Sequence, residues 1–402
     1  MSRFVALRLK KGDDYLREGS LEVRVSRRKE RKAVLVLEDG SFFLGQGFGA
    51  TTRTTGEVVF STGMVGYTEA LTDPSYNGQI LSLTYPLVGN YGVPLRRKTS
   101  REVPTWFESD GIKVRGLVIH DLCETPSHWA SSSTLNDWLL EENIPGIHGI
   151  DTRQVTKKLR EKGVMLGILQ ACEKDEEPDL GKLREESTRI PDPNATDLVQ
   201  AVSINEPITY SSKKRDRKAV VVDCGVKAGI LRALIQREFT VTRVPYNFSA
   251  EEVLEEKPDV VIVSNGPGDP EFCVSTIETV RRLVDDNRSV LGICLGNQIL
   301  ALSQGAKRYK LKYGHRSQNQ PALDTRTGRC YITTQNHGYA VSAESLEGTG
   351  LEISFLNAND KTVEGVRHPK RPCFGVQFHP EASPGPRDTE FLFDQFLGLG
   401  GR

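Results

Sequence analysis

From residue 218 onward, short unbroken apolar runs alternate with amphipathic stretches. Ala219-Val220-Val221-Val222, Phe239-Thr240-Val241-Thr242-Arg243-Val244, Val260-Val261-Ile262-Val263 and Val290-Leu291-Gly292 read as strands. Residues 225–237, 250–256 and 274–285 carry helical periodicity between them. Apolar strands without polar alternation are buried on both faces. The pattern therefore predicts an α/β domain with a mostly parallel sheet flanked by helices. Ligands then belong at the carboxyl ends of the strands, where Cys294 and Gly266-Pro267-Gly268-Asp269-Pro270 fall.

The preceding half is patterned differently. Ala33-Val34-Leu35-Val36-Leu37 and Ser41-Phe42-Phe43-Leu44 read as strands around an Asp39-Gly40 turn. Gly45, Gly47 and Gly49 do not make a dinucleotide fingerprint, and turns and a sheet edge account for them. Further strands are expected at Glu57-Val58-Val59-Phe60, Gln79-Ile80-Leu81-Ser82-Leu83 and Gly116-Leu117-Val118-Ile119. Helices are expected at 135–140 and 152–161, the latter capped by Asp151 and stopped by Gly163. This is a mixed α/β domain over residues 33–204. Residues 205–217 are polar, carry Pro207 and Lys213-Lys214-Arg215, and read as a linker. Residues 218–400 form the second domain. Residues 1–32 hold eleven Lys/Arg against five Asp/Glu, and read as a solvated basic extension rather than an acid-poor transit peptide.

Composition narrows the classes. The 402 residues carry 53 Lys+Arg and 53 Asp+Glu, a balance that argues against a dedicated nucleic-acid binder. No apolar run approaches the ~20 residues that span a bilayer. Seven cysteines without regular spacing and no signal peptide point to reduced thiols in a cytoplasmic setting, with an organellar one left open. His120, Cys123 and His128 lack zinc-like spacing, so no metal is expected.

Chemistry concentrates in two segments. Gly292-Ile293-Cys294-Leu295-Gly296-Asn297-Gln298 reads as strand, sharp turn and helix, with the cysteine at the turn. A cysteine after an apolar strand is commonly a small buried side chain. Glycines on both sides and a helix N-terminus, which favours negative charge on sulfur, point instead to a nucleophile. Downstream, Phe378-His379-Pro380-Glu381 offers a general base and a carboxylate to orient it. Pro380 pushes His379 toward extended backbone, in which residues two apart share one side. The glycines of 266–270 fit either an ordinary turn or a loop whose N–H groups face an oxyanion, with the Leu295 N–H as second donor.

These residues resemble those of the class I, triad glutamine amidotransferases over residues 218–398. The resemblance implies that Cys294 attacks the side-chain amide of glutamine, that His379 is base and acid, and that Glu381 orients it. The family commonly has His where this chain has Asn297, a position outside the triad. The N-terminal half extends the likeness. Gly63-Met64-Val65-Gly66-Tyr67-Thr68-Glu69-Ala70-Leu71-Thr72-Asp73-Pro74-Ser75-Tyr76, Leu83-Thr84-Tyr85-Pro86-Leu87-Val88-Gly89-Asn90-Tyr91-Gly92 and Gly149-Ile150-Asp151-Thr152-Arg153 resemble the small subunit of carbamoyl-phosphate synthetase. Several segments look more like eukaryotic than bacterial members.

The same resemblance implies a glutamine site formed by Ser75, Gly266, Gly268, Leu295, Gln298, Asn336, Gly338 and Tyr339. It implies a glutaminase that passes ammonia to a synthetase large subunit or fused domain. That partner makes carbamoyl phosphate from bicarbonate, for pyrimidine or arginine biosynthesis. ATP and a divalent metal belong to the partner, since this chain has no phosphate-binding Gly-x-x-x-x-Gly-Lys-Ser/Thr loop. No cofactor, nucleic acid or membrane is expected for the chain itself. The alternative is a non-catalytic, structural or regulatory amidotransferase-like subunit, against which the presence of both Cys294 and Gln298 counts.

Overall fold

The computed structural model describes residues 31–212 and 217–398. The basic extension lies outside the described residues except for Arg31 and Lys32, and so does the Lys213-Lys214-Arg215 cluster.

The N-terminal domain is a closed seven-stranded barrel. Its strands follow the order Lys32–Leu37, Met165–Ala171, Arg53–Ser61, Gln79–Leu83, Gly116–Val118, Pro145–His148 and Phe42–Gly49. The first strand shows why its sequence is apolar from Ala33 to Leu37. Ala33, Leu35 and Leu37 face one core, while Val34 and Val36 meet Leu183 of the helix Leu180–Ser187 on the other side. Closure leaves no free sheet edge. The edge reading of Gly45, Gly47 and Gly49 is therefore corrected. All three lie in the barrel strand Phe42–Gly49, and a Cβ on Gly45 would stand 2.4 Å from the His148 carbonyl oxygen. The helix Thr152–Lys162 starts at Asp151, which accepts from the Gln154 N–H, and stops at Gly163.

The C-terminal domain is a ten-stranded sheet. The strands Thr240–Pro245, Lys218–Asp223, Val260–Val263, Val290–Ile293 and Cys373–Val376 run parallel in that spatial order. Val220, Val222, Val261, Val263 and Val290 enter one core, and Ala219, Val221, Val260, Ile262 and Leu291 the other. Both faces are covered, as the apolar runs predict. Beyond Cys373–Val376 the sheet continues antiparallel through Val363–Arg367, Glu352–Asn357, Arg308–Asp324 and Cys330–Val341. After residue 305 the helices between strands give way to turns such as that at Asp324, and strands joined by turns pair antiparallel.

The linker expected at 205–217 is not free. Ile208–Tyr210 pairs antiparallel with Thr240–Pro245 and becomes the edge strand of the C-terminal sheet. No helix among the described residues is long and apolar enough to cross a membrane.

Candidate active site

Four parallel strands deliver polar residues at their carboxyl ends. Lys218–Asp223 leads to Cys224 and Lys227, and Val260–Val263 to Asn265 and Gly266. Val290–Ile293 leads to Cys294, and Cys373–Val376 to Gln377 and His379. The parallel topology thus gathers groups that lie far apart in the chain.

Cys294 joins its strand to the helix Leu295–Ser303 with φ 56° and ψ −104°. That backbone is strained for a residue with a Cβ, and its neighbours make it possible. A Cβ on Gly292 would sit 2.3 Å from the Gly296 carbonyl oxygen, and one on Gly296 would sit 2.0 Å from that of Val263. Both glycines are required by close backbone approach, so the turn is fixed by the sequence. The Cys294 N–H donates to the Val376 carbonyl at 2.8 Å, tying the turn to the strand that carries His379. The Cys294 sulfur lies 3.7 Å from the Asn336 carbonyl oxygen and 3.7 Å from Gln377 Nε2.

His379 is buried, and its Nδ1 lies 2.7 Å from Glu381 Oε1. The chain does not stay extended here. It turns at Pro380, with the Ala382 N–H donating to the His379 carbonyl at 3.3 Å and Ala382 at φ 52°. The turn, rather than a shared strand face, brings the carboxylate back to the ring. The other ring nitrogen, Nε2, is buried without a hydrogen-bond partner. Cys294 is near enough to act on the ring, but the sulfur is bonded elsewhere in this rotamer.

A group the sequence reading missed completes this array. Lys227 is fully buried, with its Nζ 3.0 Å from Glu381 Oε1. Burial opposes its charge, but Glu381 and then Glu108 outweigh burial and raise its pKa. Burial likewise opposes the charge on Glu381, but Lys227 and then His379 hold its carboxyl well below the usual range. For His379 burial would lower the pKa, yet the Glu381 charge raises it to about 10. Lys227, Glu381 and His379 therefore form one buried run of alternating charge.

The domain seam crosses this site. Ser75 accepts from Asn265 Nδ2 at 2.9 Å, and Asp73 accepts from Asn336 Nδ2 at 2.9 Å. Glu108 accepts from the Gly229 N–H at 2.9 Å and pairs with Arg232. One cavity at the seam is lined by Ser75, Gly266, Gly268, Cys294, Leu295, Gln298, Asn336, Gly338 and Tyr339. All eight residues expected to hold glutamine thus share a cavity with Cys294. Gln298 is fixed by bonds from its Nε2 to the Tyr339 carbonyl at 2.8 Å and to Gln377 Oε1 at 3.1 Å. Asn297 is buried, and its Nδ2 lies 3.4 Å from Oε1 of Gln377, the residue whose Nε2 meets the Cys294 sulfur.

His315, His337 and Glu364 also converge behind Asn336. Their polar atoms are bound to Gln335, Asp360, Tyr339 and Asn357, so they form a hydrogen-bonded support under the hairpin. Asp73, Asn265 and Gln377 were also missed, although each stands within two residues of a site residue that was found.

Comparison with known proteins agrees with this anatomy. The glutamine amidotransferase class-I family matches residues 220–399, and the CPSase domain of the carbamoyl-phosphate synthase small chain matches residues 35–169. The carbamoyl phosphate synthase small chain of Methanocaldococcus jannaschii is 48% identical over 371 residues, covering 92% of this chain and 99% of that one. That of Methanopyrus kandleri is 47% identical over 368 residues, covering 92% and 99%. That of Listeria innocua is 48% identical over 368 residues, covering 92% and 96%. These relatives are archaeal and bacterial. With both domains matched and nearly the full length of each relative covered, the chain belongs to the carbamoyl phosphate synthase small chain family.

Proposed function

We propose that this chain is the glutaminase component of a carbamoyl-phosphate synthetase, with Cys294, His379 and Glu381 as its catalytic groups. The observation that carries the reading is Cys294 on a glycine-enforced turn, in one cavity with Ser75 of the other domain. A simple cysteine hydrolase needs no such second domain.

His379 is charged in the resting site and carries the proton on Nε2, so Cys294 reacts as the thiolate partner of an imidazolium. The Cys294 sulfur attacks the side-chain amide carbon of L-glutamine. Negative charge develops on the amide oxygen. The Leu295 N–H, in the first helical turn, has no carbonyl to bond within its helix and is free for that oxygen. The Gly266 N–H is the second donor. The C–N bond breaks as His379 gives its proton to the departing nitrogen, leaving a γ-glutamyl thioester and ammonia. Water then loses a proton to Nε2 and attacks the thioester, the C–S bond breaks, and glutamate leaves. Glu381 holds the ring and stabilises its charged form throughout. Lys227 fixes Glu381 in turn.

Ammonia passes to a large synthetase subunit or domain, which supplies the ATP, metal and bicarbonate chemistry. Carbamoyl phosphate then feeds pyrimidine or arginine biosynthesis. The chain itself needs no cofactor for the steps above. A purely structural subunit would not need a strained cysteine facing a buried histidine. The test is Cys294→Ser in the assembled synthetase. Glutamine-dependent synthesis of carbamoyl phosphate is lost, while ammonia-dependent synthesis survives. Equal loss of both would sink the assignment.

A further inference from the structure

Arg316 lies in the wall of the cavity that holds Cys294. It stands directly opposite Asn336 in the hairpin of Arg308–Asp324 with Cys330–Val341. Residues so paired project from the same face. Its guanidinium packs on bare backbone. A Cβ on Gly314 would lie 2.4 Å from Nη1, and one on Gly338 3.3 Å from Nη2.

The side chain is poorly satisfied. The residue is only 5% exposed. Nη1 donates to the Tyr313 carbonyl at 2.9 Å, and Nε is buried with no partner. Burial works against its charge, and Glu57 acts to offset it. The oxygens of Glu57 are already engaged by Lys310, Asn194 and Gln79. Among the described residues no carboxylate forms an ion pair with Arg316. A buried cation without an anion is costly. That cost is recovered when the ligand of the cavity brings the anion, and an arginine fork suits a carboxylate.

We propose that Arg316 binds the α-carboxylate of the glutamine whose side-chain amide faces Cys294, and so selects substrates with a free α-carboxylate. The inference rests on the glutaminase reading above. Gly338, which the guanidinium touches, is among the residues expected to hold the amino-acid end, and Asn336 shares its sheet face. Arg316 thereby becomes a specificity residue of that site.

The experiment compares L-glutamine with L-glutaminamide, in which the α-carboxylate is a neutral amide. The assay uses the chain assembled with its synthetase and supplied with ATP and bicarbonate. The wild type favours glutamine. Arg316→Met raises KM for glutamine by about 10- to 100-fold, the range expected for a hydrogen-bonded charged group. It changes kcat less, and leaves glutaminamide hydrolysis within a few-fold, so the preference collapses. Arg316→Lys recovers part of it. If the Met variant does not fold, Arg316→Gln gives the same ratio. An equal loss on both substrates would overturn the proposal. So would slower alkylation of Cys294 by iodoacetamide in step with kcat, which would place the guanidinium on the sulfur. A wild type that hydrolyses both substrates equally defeats Arg316 alone, whereas one with no glutaminase activity defeats the underlying reading.

Discussion

The Glu381 carboxylate oxygen that lies 2.7 Å from His379 Nδ1 also lies 3.0 Å from Lys227 Nζ. One buried atom thus meets both an imidazole and an ammonium. Lys227 enters the helix Ala228–Gln236, whose first turn is bonded to Glu108 of the other domain. The Glu381 carboxylate is held by the element that also anchors the domain seam.

Lys227→Met should therefore weaken both fold and catalysis. Breaking one partner of a buried ion pair typically costs ~3–5 kcal/mol. The expected result is a lowered thermal midpoint together with a reduced kcat for glutamine hydrolysis. A variant with unchanged stability and turnover would show that Glu381 needs no support beyond His379.

The same charges set a pH window. The pKa of His379 is raised from 6.5 to about 10. Its stabilisation is fully present below its unfolded pKa and is lost as pH rises through the folded one. The pKa of Glu381 is depressed from 4.5. Its stabilisation is present above that value and is lost as pH falls through the lower, folded one. Thermal midpoints measured against pH should fall on both sides of the window between these groups. His379→Asn should flatten the limb between 6.5 and about 10, and Glu381→Gln the limb below 4.5. Curves for the variants that run parallel to the wild type would contradict this.

The roles proposed for His379 and Glu381 should separate kinetically. His379→Asn should slow thioester formation and its hydrolysis together, by ~10²–10⁴ for the loss of general acid–base help. Glu381→Gln should cost less, because it orients a proton carrier rather than carrying the proton. Rapid-quench measurement of the γ-glutamyl thioester reports both steps. A Glu381 variant slower than the His379 variant would reverse the assignment.

What the sequence made legible follows a simple division. The strand–turn–helix at Cys294 was readable because three local signals coincide there: an apolar run, flanking glycines and a helical pattern. The parallel strands were readable because burial on both faces leaves no polar position. The long hairpin of Arg308–Asp324 with Cys330–Val341 was not, because its residues are largely polar. Its central polar side chains, His315–Ser317 and Thr333–His337, are buried, and periodicity carries no mark of that. Lys227 and Arg316 escaped for the same reason. A lysine or arginine looks solvated in sequence, and only the fold shows that Arg316 is buried in the cavity wall and Lys227 against Glu381. Glu381 was found, but through extended geometry where a turn at Pro380 does the work.

The last expectation concerns the coupling of the two half-reactions. Ammonia released into water protonates and is then a poor nucleophile, so unlinked glutamine hydrolysis is wasteful. The isolated chain should hydrolyse glutamine slowly and accelerate when a synthetase binds. The seam supplies a physical route. Ser75, Asp73 and Glu108 come from the N-terminal domain and bond to Asn265, Asn336 and the first turn of Ala228–Gln236. Gly66 lies so close to the segment after Glu381 that a Cβ there would be 2.3 Å from the Pro384 side chain. A shift of the N-terminal domain on docking is therefore expected to reach Asn265, next to Gly266, and the segment after Glu381. A change of ~1.4 kcal/mol in the barrier is a tenfold change in rate. Glutaminase turnover should be compared for the chain alone and with a synthetase supplied with ATP and bicarbonate. Gly66→Ala, which would place a Cβ 2.3 Å from the Pro384 side chain, should lower the basal rate and blunt the acceleration together. Turnover that stays unchanged despite demonstrated binding would remove the coupled reading and leave a stand-alone glutaminase.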